Sequence, residues 1–146
     1  YSSGKAISYT ADNYTVKPSI DFSPSWCAFS YEGEFSFYNS KRQKMAKSSL
    51  FNWHQSVSAT ATISHVDLSF SLVHYHNELQ ESNHLNTLLG DASAVWRMKK
   101  LRLSAELRNL FNKKNYMETI YSGISTLTDS YHLRPRELMI SAQYSF

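Results

Sequence analysis

The stretch FNWHQSVSATATIS, residues 51–64, alternates apolar and polar side chains, with Gln55 as its one exception. Its apolar members are all odd-numbered: Phe51, Trp53, Val57, Ala59, Ala61 and Ile63. Side chains of a β-strand point alternately to its two faces, whereas a helix repeats every ~3.6 residues. The stretch therefore predicts a long strand with one apolar face and one face of Ser, Thr, Asn and His.

The same alternation recurs along most of the chain and predicts about seven strands. The apolar members of the other predicted strands are, in chain order, Tyr14, Val16, Ile20, Phe22, Cys27, Phe29, Tyr31, Phe35, Phe37, Leu68, Phe70, Leu72, Leu88, Gly90, Ala92, Ala94, Trp96, Leu101, Leu103, Ala105, Leu107, Leu138, Ile140, Ala142 and Tyr144. Pro18 interrupts the first run, which indicates an edge strand or a bulge because proline has no N–H for the ladder.

Short and long connections alternate between the predicted strands. The short ones are SPS (23–25), SHVD (64–67) and RMKK (97–100). The longer, mostly polar ones are NSKRQKMAKSS (39–49), HNELQESNH (76–84) and NKKNYMETIYSGISTLTDS (112–130), the last of which is expected to be one long loop. Short turns at one end of a sheet and long loops at the other are typical of outer-membrane barrels. The predicted fold class is all-β: an antiparallel, up-and-down segment of a transmembrane β-barrel.

Composition and charge argue against several other classes of protein. The 146 residues carry 15 Lys and Arg against 12 Asp and Glu, a net charge of +3 that is too small and dispersed for a nucleic-acid-binding stripe. Cys27 is the single cysteine, so an internal disulfide and a paired-cysteine metal site are excluded. No pair of side chains has nucleophile–base spacing, so we expect no enzyme activity and no cofactor.

Two features indicate which face of the predicted sheet meets lipid. The polar face is rich in Ser and Thr and poor in Lys, whereas the exposed face of a soluble sheet usually carries more charge. Aromatic residues gather near the strand ends, as in the girdles of membrane barrels. They are Phe51, Trp53, Tyr75, Trp96, Tyr144 and Phe146. We therefore expect Phe35, Val57, Leu103 and Ile140 to contact hydrocarbon, and the Ser and Thr side chains to line a lumen.

The C-terminal third contains the segments LRLSAELRNLFNKKNY (101–116) and YHLRPRELMISAQYSF (131–146). Together they resemble the end of TonB-dependent outer-membrane receptors, in the form found in Bacteroidetes-type bacteria. The residues that carry the resemblance are Asn109, Leu110, Phe111, Tyr116, Pro135, Arg136 and the terminal Phe146.

The resemblance implies a barrel of about 22 strands closed around a plug domain. Residues 1–146 would be its C-terminal part, without the plug domain and the N-terminal strands. The whole receptor would take up a scarce nutrient, such as an iron chelate, a corrinoid, a peptide or a glycan, in the outer membrane of a Gram-negative bacterium. It would use the proton-motive force through the TonB complex, which the missing N-terminal part contacts.

The resemblance also implies a role for the last predicted strand. In outer-membrane proteins the alternating terminal strand is the signal that the barrel-assembly machinery reads. The residues implied to carry it here are Leu138, Ile140, Ala142, Tyr144 and Phe146. The physical basis is that an unpaired edge strand can be captured by strand addition, with alternate side chains filling pockets.

Two polar clusters are candidates for binding. His74 and His76 share one strand face and His84 follows the next connection, so these imidazoles are candidate transition-metal ligands. Their position at the end of an apolar run favours the membrane interface instead, and we predict no metal site. The basic stretch KRQKMAK (41–47) either contacts lipopolysaccharide phosphates, beside the outer-membrane lipid, or is a solvated loop.

Two other interpretations stay open. An autonomous small outer-membrane barrel with an adhesive or structural role would close on a strand near residues 5–20, with the region before Tyr9 completing the ~8 strands of the smallest common barrel. A soluble β-sandwich binding module would bury Phe29, Phe35, Trp53 and Phe70 between two sheets. Closure of the sheet or a dry apolar core would distinguish these interpretations from a segment of a larger barrel.

Overall fold

The computed structural model describes residues 9–42, 48–78, 84–122 and 125–146. Within these ranges the chain is all-β, which confirms the predicted class. The strands are β1 (Tyr9–Val16), β2 (Ser19–Phe22), β3 (Cys27–Arg42), β4 (Ser48–Ile63), β5 (Val66–Glu78), β6 (His84–Arg97), β7 (Leu101–Arg108), β8 (Asn115–Ser122), β9 (Ser125–His132) and β10 (Glu137–Tyr144). Among the described residues, no helix has the length and apolar character needed to cross a membrane.

Eight of these strands form one antiparallel sheet in the order β1, β3, β4, β5, β6, β7, β10, with β2 also paired to β3. β1 and β2 lie end to end along β3, so the sheet is seven strands wide, as the alternation predicts. β8 and β9 form a separate hairpin between β7 and β10. β1 and β10 are the two edges and are not paired with each other in the described part of the chain, so the sheet is open.

The register of the sheet brings the predicted apolar positions onto one side. One row across it contains Phe22, Phe29, Ala59, Phe70, Ala92, Leu107 and Leu138. The adjacent row, on the opposite side, contains Ala28, Thr60, Ser69, Ser93, Glu106 and Met139. A shift of one residue in any ladder would mix these two sets, so the alternation itself specifies the register. We call the two sides the apolar face and the polar face.

The apolar face is uncovered in the described structure. Phe29 and Phe70 are 39% and 41% exposed, and Ile140 is 75% exposed, so these side chains are not packed in a dry core. Among the described residues the single buried hydrophobic residue is Leu50, and it lies on the polar face opposite Tyr38. The packed interior expected for a β-sandwich is therefore not found in the described ranges.

Pro18 separates β1 from β2 without inserting a bulge. Val16 pairs with Phe35 and Ser19 with Glu32, so two residues on each strand span the gap and the register continues. The carbonyl of Pro18 still accepts a hydrogen bond of 2.8 Å from the Gly33 N–H. Pro18 lies on an outer strand of the described sheet, directly opposite Gly33, so the N–H that proline lacks would have donated to the Gly33 carbonyl. The interruption between β1 and β2 is therefore one missing ladder hydrogen bond and not a bulge.

The short connections lie at one end of the sheet, as predicted. SHVD contributes a two-residue turn in which Ser64 adopts a left-handed φ of 57°. RMKK closes through the Met98 N–H, which donates to the Leu101 carbonyl at 2.8 Å. The last strand also ends at the short-turn end of the sheet, because the Ser145 N–H donates to the Lys100 carbonyl at 2.9 Å.

The long connections differ from the prediction. The expected loop over 112–130 is wrong, since β8 and β9 pair there from Asn115↔His132 to Ser122↔Ser125. The sequence is rich in Tyr, Thr and Ile, which favour strands, but it lacks an apolar face to reveal the period. The other two polar stretches are also partly strand, with 43–47 and 79–83 outside the described residues.

Candidate functional site

A depression of about 470 Å³ lies on the polar face, across β4 to β7. Hydroxyl groups make up much of its lining: Ser58, Thr60, Ser69, Ser71, Ser93 and Ser104. The hydroxyls pair across neighbouring strands, with 2.7 Å between Ser69 and Ser93 and 2.6 Å between Ser104 and Ser141. The polar face therefore has a recess whose walls combine hydroxyl groups with the charged side chains of Asp91, Arg102 and Glu106.

Some of the charged groups on the polar face form ion pairs with one another. Lys17 Nζ lies 3.0 Å from Glu34 Oε2, at the edge formed by the first strands. Arg108 Nε donates to Glu106 Oε1 at 2.6 Å, beside the depression. Exposed pairs of this kind contribute about 0–1 kcal/mol each to stability, so they add little to the stability of the sheet.

A third pair of charged residues lies toward the short turns. Arg97 Nη2 is 2.6 Å from Asp67 Oδ2, and the Thr62 hydroxyl donates to Asp67 Oδ1 at 2.9 Å. Asp67 Oδ1 therefore accepts a hydrogen bond, whereas the buried Oδ2 has the ion-pair contact but no hydrogen-bond partner. The sequence predicts Arg97 only as a turn residue, and the structure adds this contact to β5.

The histidines singled out by the sequence lie in an aromatic cluster on the apolar face. The Trp53 ring is 5.4 Å from His74 and 5.6 Å from His76, and the His76 ring is 5.7 Å from His84. His76 Nδ1 also lies 2.8 Å from Asn86 Oδ1. Within the described ranges no group of three or more His, Cys, Asp or Glu side chains is arranged to hold a metal ion.

The residues after β7 form a compact junction centred on Asn109, which adopts a left-handed φ of 52°. Its backbone N–H donates to Asp91 Oδ1 at 2.8 Å, and its carbonyl accepts from the Asn112 N–H at 2.8 Å. Its Nδ2 donates to the carbonyls of Lys113 (2.8 Å) and Arg134 (2.7 Å), and its Oδ1 accepts from the Lys113 N–H at 2.9 Å. We call these contacts the Asn109 junction.

Leu110 and Phe111 fold back over β6, where Gly90 leaves room on the apolar face. The Leu110 N–H donates to the Gly90 carbonyl at 2.8 Å. A Cβ added to Gly90 would lie 3.0 Å from Phe111 Cε2 and 3.3 Å from Leu110 Cδ1. The glycine therefore permits the close approach of the two side chains that follow Asn109.

Pro135 and Arg136 of the predicted signature lie beside the same junction, whereas Tyr116 lies on the hairpin and Phe146 at the short-turn end of the sheet. The Arg136 N–H, directly after Pro135, donates to Asn112 Oδ1 at 3.1 Å. The Leu133 N–H donates to the Lys114 carbonyl at 2.8 Å, which closes the base of the β8–β9 hairpin. The structure thus brings together segments more than twenty residues apart that the sequence marks only as a pattern. Asn112, with a φ of 51°, is a member that sequence reasoning missed.

The hairpin itself leans on the polar face. The Tyr116 ring lies 4.8 Å from the ring of Tyr75, a residue of β5 on that face. Asn77 Nδ2 donates to the Met117 carbonyl at 3.4 Å. Asn77 and Thr87, both on the polar face, are buried although the sheet around them is open.

The terminal strand β10 pairs with β7 over its whole length, from Glu137↔Arg108 to Tyr144↔Leu101. Its other side is an edge of the sheet within the described ranges. Leu138, Ile140 and Tyr144 lie on the apolar face and are more than half exposed, and the Tyr144 ring is 5.3 Å from that of Phe146. In the described structure the strand thus has an unpaired edge, and apolar side chains alternate along it although both of its faces are exposed.

The comparisons with known proteins give no match: no protein-family model, no curated protein and no solved structure is similar to the chain. The resemblance of residues 101–116 and 131–146 to TonB-dependent receptors therefore depends on the signature residues alone. Residues 43–47 of the basic stretch KRQKMAK lie outside the described structure, and its contact with lipopolysaccharide phosphates stays a prediction.

Proposed function

We propose that this chain is part of the wall of a TonB-dependent outer-membrane receptor that takes up a scarce nutrient. The observation that carries the proposal is the open, seven-strand-wide sheet with an uncovered apolar face and a recessed, hydroxyl-lined polar face. In a membrane barrel of this kind the apolar face contacts lipid and the polar face lines the lumen.

The cost of exposing the apolar face to water supports a lipid neighbour. Each square ångström of apolar surface removed from water contributes about 25 cal/mol, and soluble monomers rarely leave contiguous apolar patches above about 600 Å². The apolar face extends over all seven positions of the sheet, from Ile20 and Phe22 on one edge to Leu138 and Ile140 on the other. Hydrocarbon covers such a face without a second protein layer.

Strand length supports the same proposal. A transmembrane β-strand needs about 9–11 residues, and β3 and β4 have 16 each while β5 and β6 have 13 and 14. These strands would cross the membrane from the short-turn end and continue beyond it at the long-connection end. β7 and β10 have 8 residues each, and the Asn109 junction and the hairpin continue the chain at the same end.

A segment of a large barrel fits better than the two alternatives. An autonomous small barrel would pair β1 with β10, and these strands are the edges of the described sheet. A β-sandwich would cover the apolar face, whereas the hairpin leans on the polar face. The partners of the proposed receptor are lipid and lipopolysaccharide, the barrel-assembly machinery, the TonB complex and a nutrient.

Spin labels on adjacent residues test which face meets lipid. Ala59 and Ser58 are neighbours on β4 that lie on the apolar and polar faces, so Ala59→Cys and Ser58→Cys in a Cys27→Ala background form a matched pair. In the full receptor in lipid vesicles, the label at 59 should collide mainly with dissolved oxygen and the label at 58 with a water-soluble nickel chelate. The reverse pattern would refute the proposed orientation.

Nutrient uptake tests the transport part of the proposal. Deleting the gene in its native bacterium should abolish high-affinity uptake of one compound among iron chelates, corrinoids, peptides and glycans. Deleting the TonB component should remove the same uptake, while growth on nutrients that diffuse through porins stays unchanged. Uptake that survives the loss of TonB would contradict the proposed coupling.

A further inference from the structure

The β8–β9 hairpin is held at two separate places. At its base, the Asn109 junction fixes both chain ends through the Lys113 and Arg134 carbonyls, and the Leu133–Lys114 hydrogen bond closes the ladder. Further along, Tyr116 contacts Tyr75 on the wall. A hairpin attached only at its base could swing about that point, whereas two attachments fix its direction.

The second attachment lies on the polar face. Tyr75 and Asn77 are two residues apart on β5, so both side chains lie on the polar face, and Thr87 is directly opposite Tyr75 on β6. Asn77 and Thr87 are 9% and 8% exposed, although most of the sheet is open. β8 is in contact with β6, and Asn77 donates to the Met117 carbonyl, so the hairpin lies against this part of the wall.

A run of aromatic rings continues from the wall onto the hairpin. His54 stacks on Tyr75 with 4.5 Å between ring centroids, Tyr75 is followed by Tyr116 at 4.8 Å, and Tyr116 by Tyr131 at 6.0 Å. The rings come from β4, β5, β8 and β9, so the contact joins two sheets that share no backbone ladder. Aromatic pairs contribute about 0.5–1.5 kcal/mol each beyond the area they bury, enough to define one preferred position.

We propose that the β8–β9 hairpin is a strap folded across the polar face, with Asn109 as its positioning residue and Tyr116 as its contact with the wall. Given the proposed receptor, on which this inference rests, the strap narrows the opening of the lumen at the long-connection end. A ligand entering the lumen passes over the side of the strap that faces away from this wall, where Tyr131 is half-exposed.

A buried reporter tests whether the strap covers the wall. In the full protein with Cys27→Ala, Thr87→Cys introduces a thiol at a covered position, and Ser69→Cys introduces one at an exposed position of the same face. The rate of reaction with a water-soluble maleimide is measured for each on purified, folded protein. The thiol at 87 should react at least about ten-fold more slowly than the thiol at 69.

Strap variants then test the two attachments. Tyr116→Ala and Asn109→Gly should each raise the reaction rate at position 87 about five-fold or more, because local opening becomes easier. Tyr116→Phe keeps the ring contact with Tyr75 and should raise the rate less than Tyr116→Ala does. Tyr14→Ala, on the far edge of the sheet, is the matched control and should change the rate less than about two-fold.

The outcomes separate this inference from the proposed function. Equal reaction rates at positions 87 and 69 in the parent, or no change in either strap variant, would refute the strap. Since the reaction is run on purified protein, it reports on the hairpin regardless of which membrane the protein occupies. If the spin label at 59 met water and the label at 58 met lipid, or if uptake did not need TonB, the proposed receptor function would be refuted. The contact between the hairpin and the wall would still stand.

Discussion

Asn109 combines a backbone requirement with a side-chain requirement. Its φ of 52° lies in the left-handed region, which Asn tolerates better than most residues with a Cβ. The same side chain makes three hydrogen bonds that join the end of β7, the hairpin and the approach to β10. Glycine would meet only the first requirement, and aspartate would keep the acceptor but lose both Nδ2 donors.

Substitutions at Asn109 should separate these two requirements. Three net hydrogen bonds at about 0.5–1.5 kcal/mol each predict a loss of about 2–4 kcal/mol in unfolding free energy for Asn109→Gly. Asn109→Ala should lose about 1–2 kcal/mol more, since it adds the cost of the left-handed conformation. Denaturant unfolding in lipid vesicles measures both values. Equal stability of the Gly and Ala variants would contradict the backbone part of the argument.

The sequence predicts individual strands well where one face is apolar and the other is polar. Val57, Ala59 and Ala61 determine both the existence of β4 and its orientation, and the register follows from matching such faces. The hairpin was missed for the opposite reason, since its strands carry no continuous apolar face. Its position depends on contacts such as Tyr75–Tyr116, between residues 41 positions apart, which no local pattern encodes.

The same limit applies to the candidate site. The signature residues Asn109, Leu110 and Phe111 could be singled out as a pattern, but the pattern contains no information about their partners. Gly90 and Asp91 supply a carbonyl, a carboxylate and a space for Phe111 from a strand that the signature does not include. These contacts depend on the pairing of β6 with β7 and could be recognised only in three dimensions.

The terminal strand makes a testable contribution to assembly. Deleting Phe146 removes the last aromatic side chain of the free edge, and we expect less heat-modifiable barrel in the outer membrane because strand capture loses one filled pocket. Ser145→Ala, at the adjacent position, is the control and should assemble normally. Gel mobility of outer-membrane fractions with and without boiling provides the measurement. Equal barrel levels in both variants would contradict the assembly role.

The two faces of the whole sheet should respond oppositely to charge. Phe70→Arg places a guanidinium on the proposed lipid face and should destabilise the folded protein in vesicles by about 2–4 kcal/mol near the bilayer midplane. Ser71→Arg, one residue along β5 on the polar face, should cost less than about 1 kcal/mol. Unfolding in lipid vesicles measures both. If Phe70→Arg left the unfolding free energy unchanged, this face would be in contact with water and not with hydrocarbon.

The two open edges of the sheet have a consequence for biogenesis. β1 and β10 each leave a row of amide and carbonyl groups without a ladder partner in the described structure, and each unmet group costs several kcal/mol in hydrocarbon. In the proposed setting this segment therefore has no stable half-inserted state of its own. The segment therefore enters the bilayer only together with the strands that flank it in the whole barrel. When residues 1–146 are produced alone, we expect aggregates that detergent does not refold.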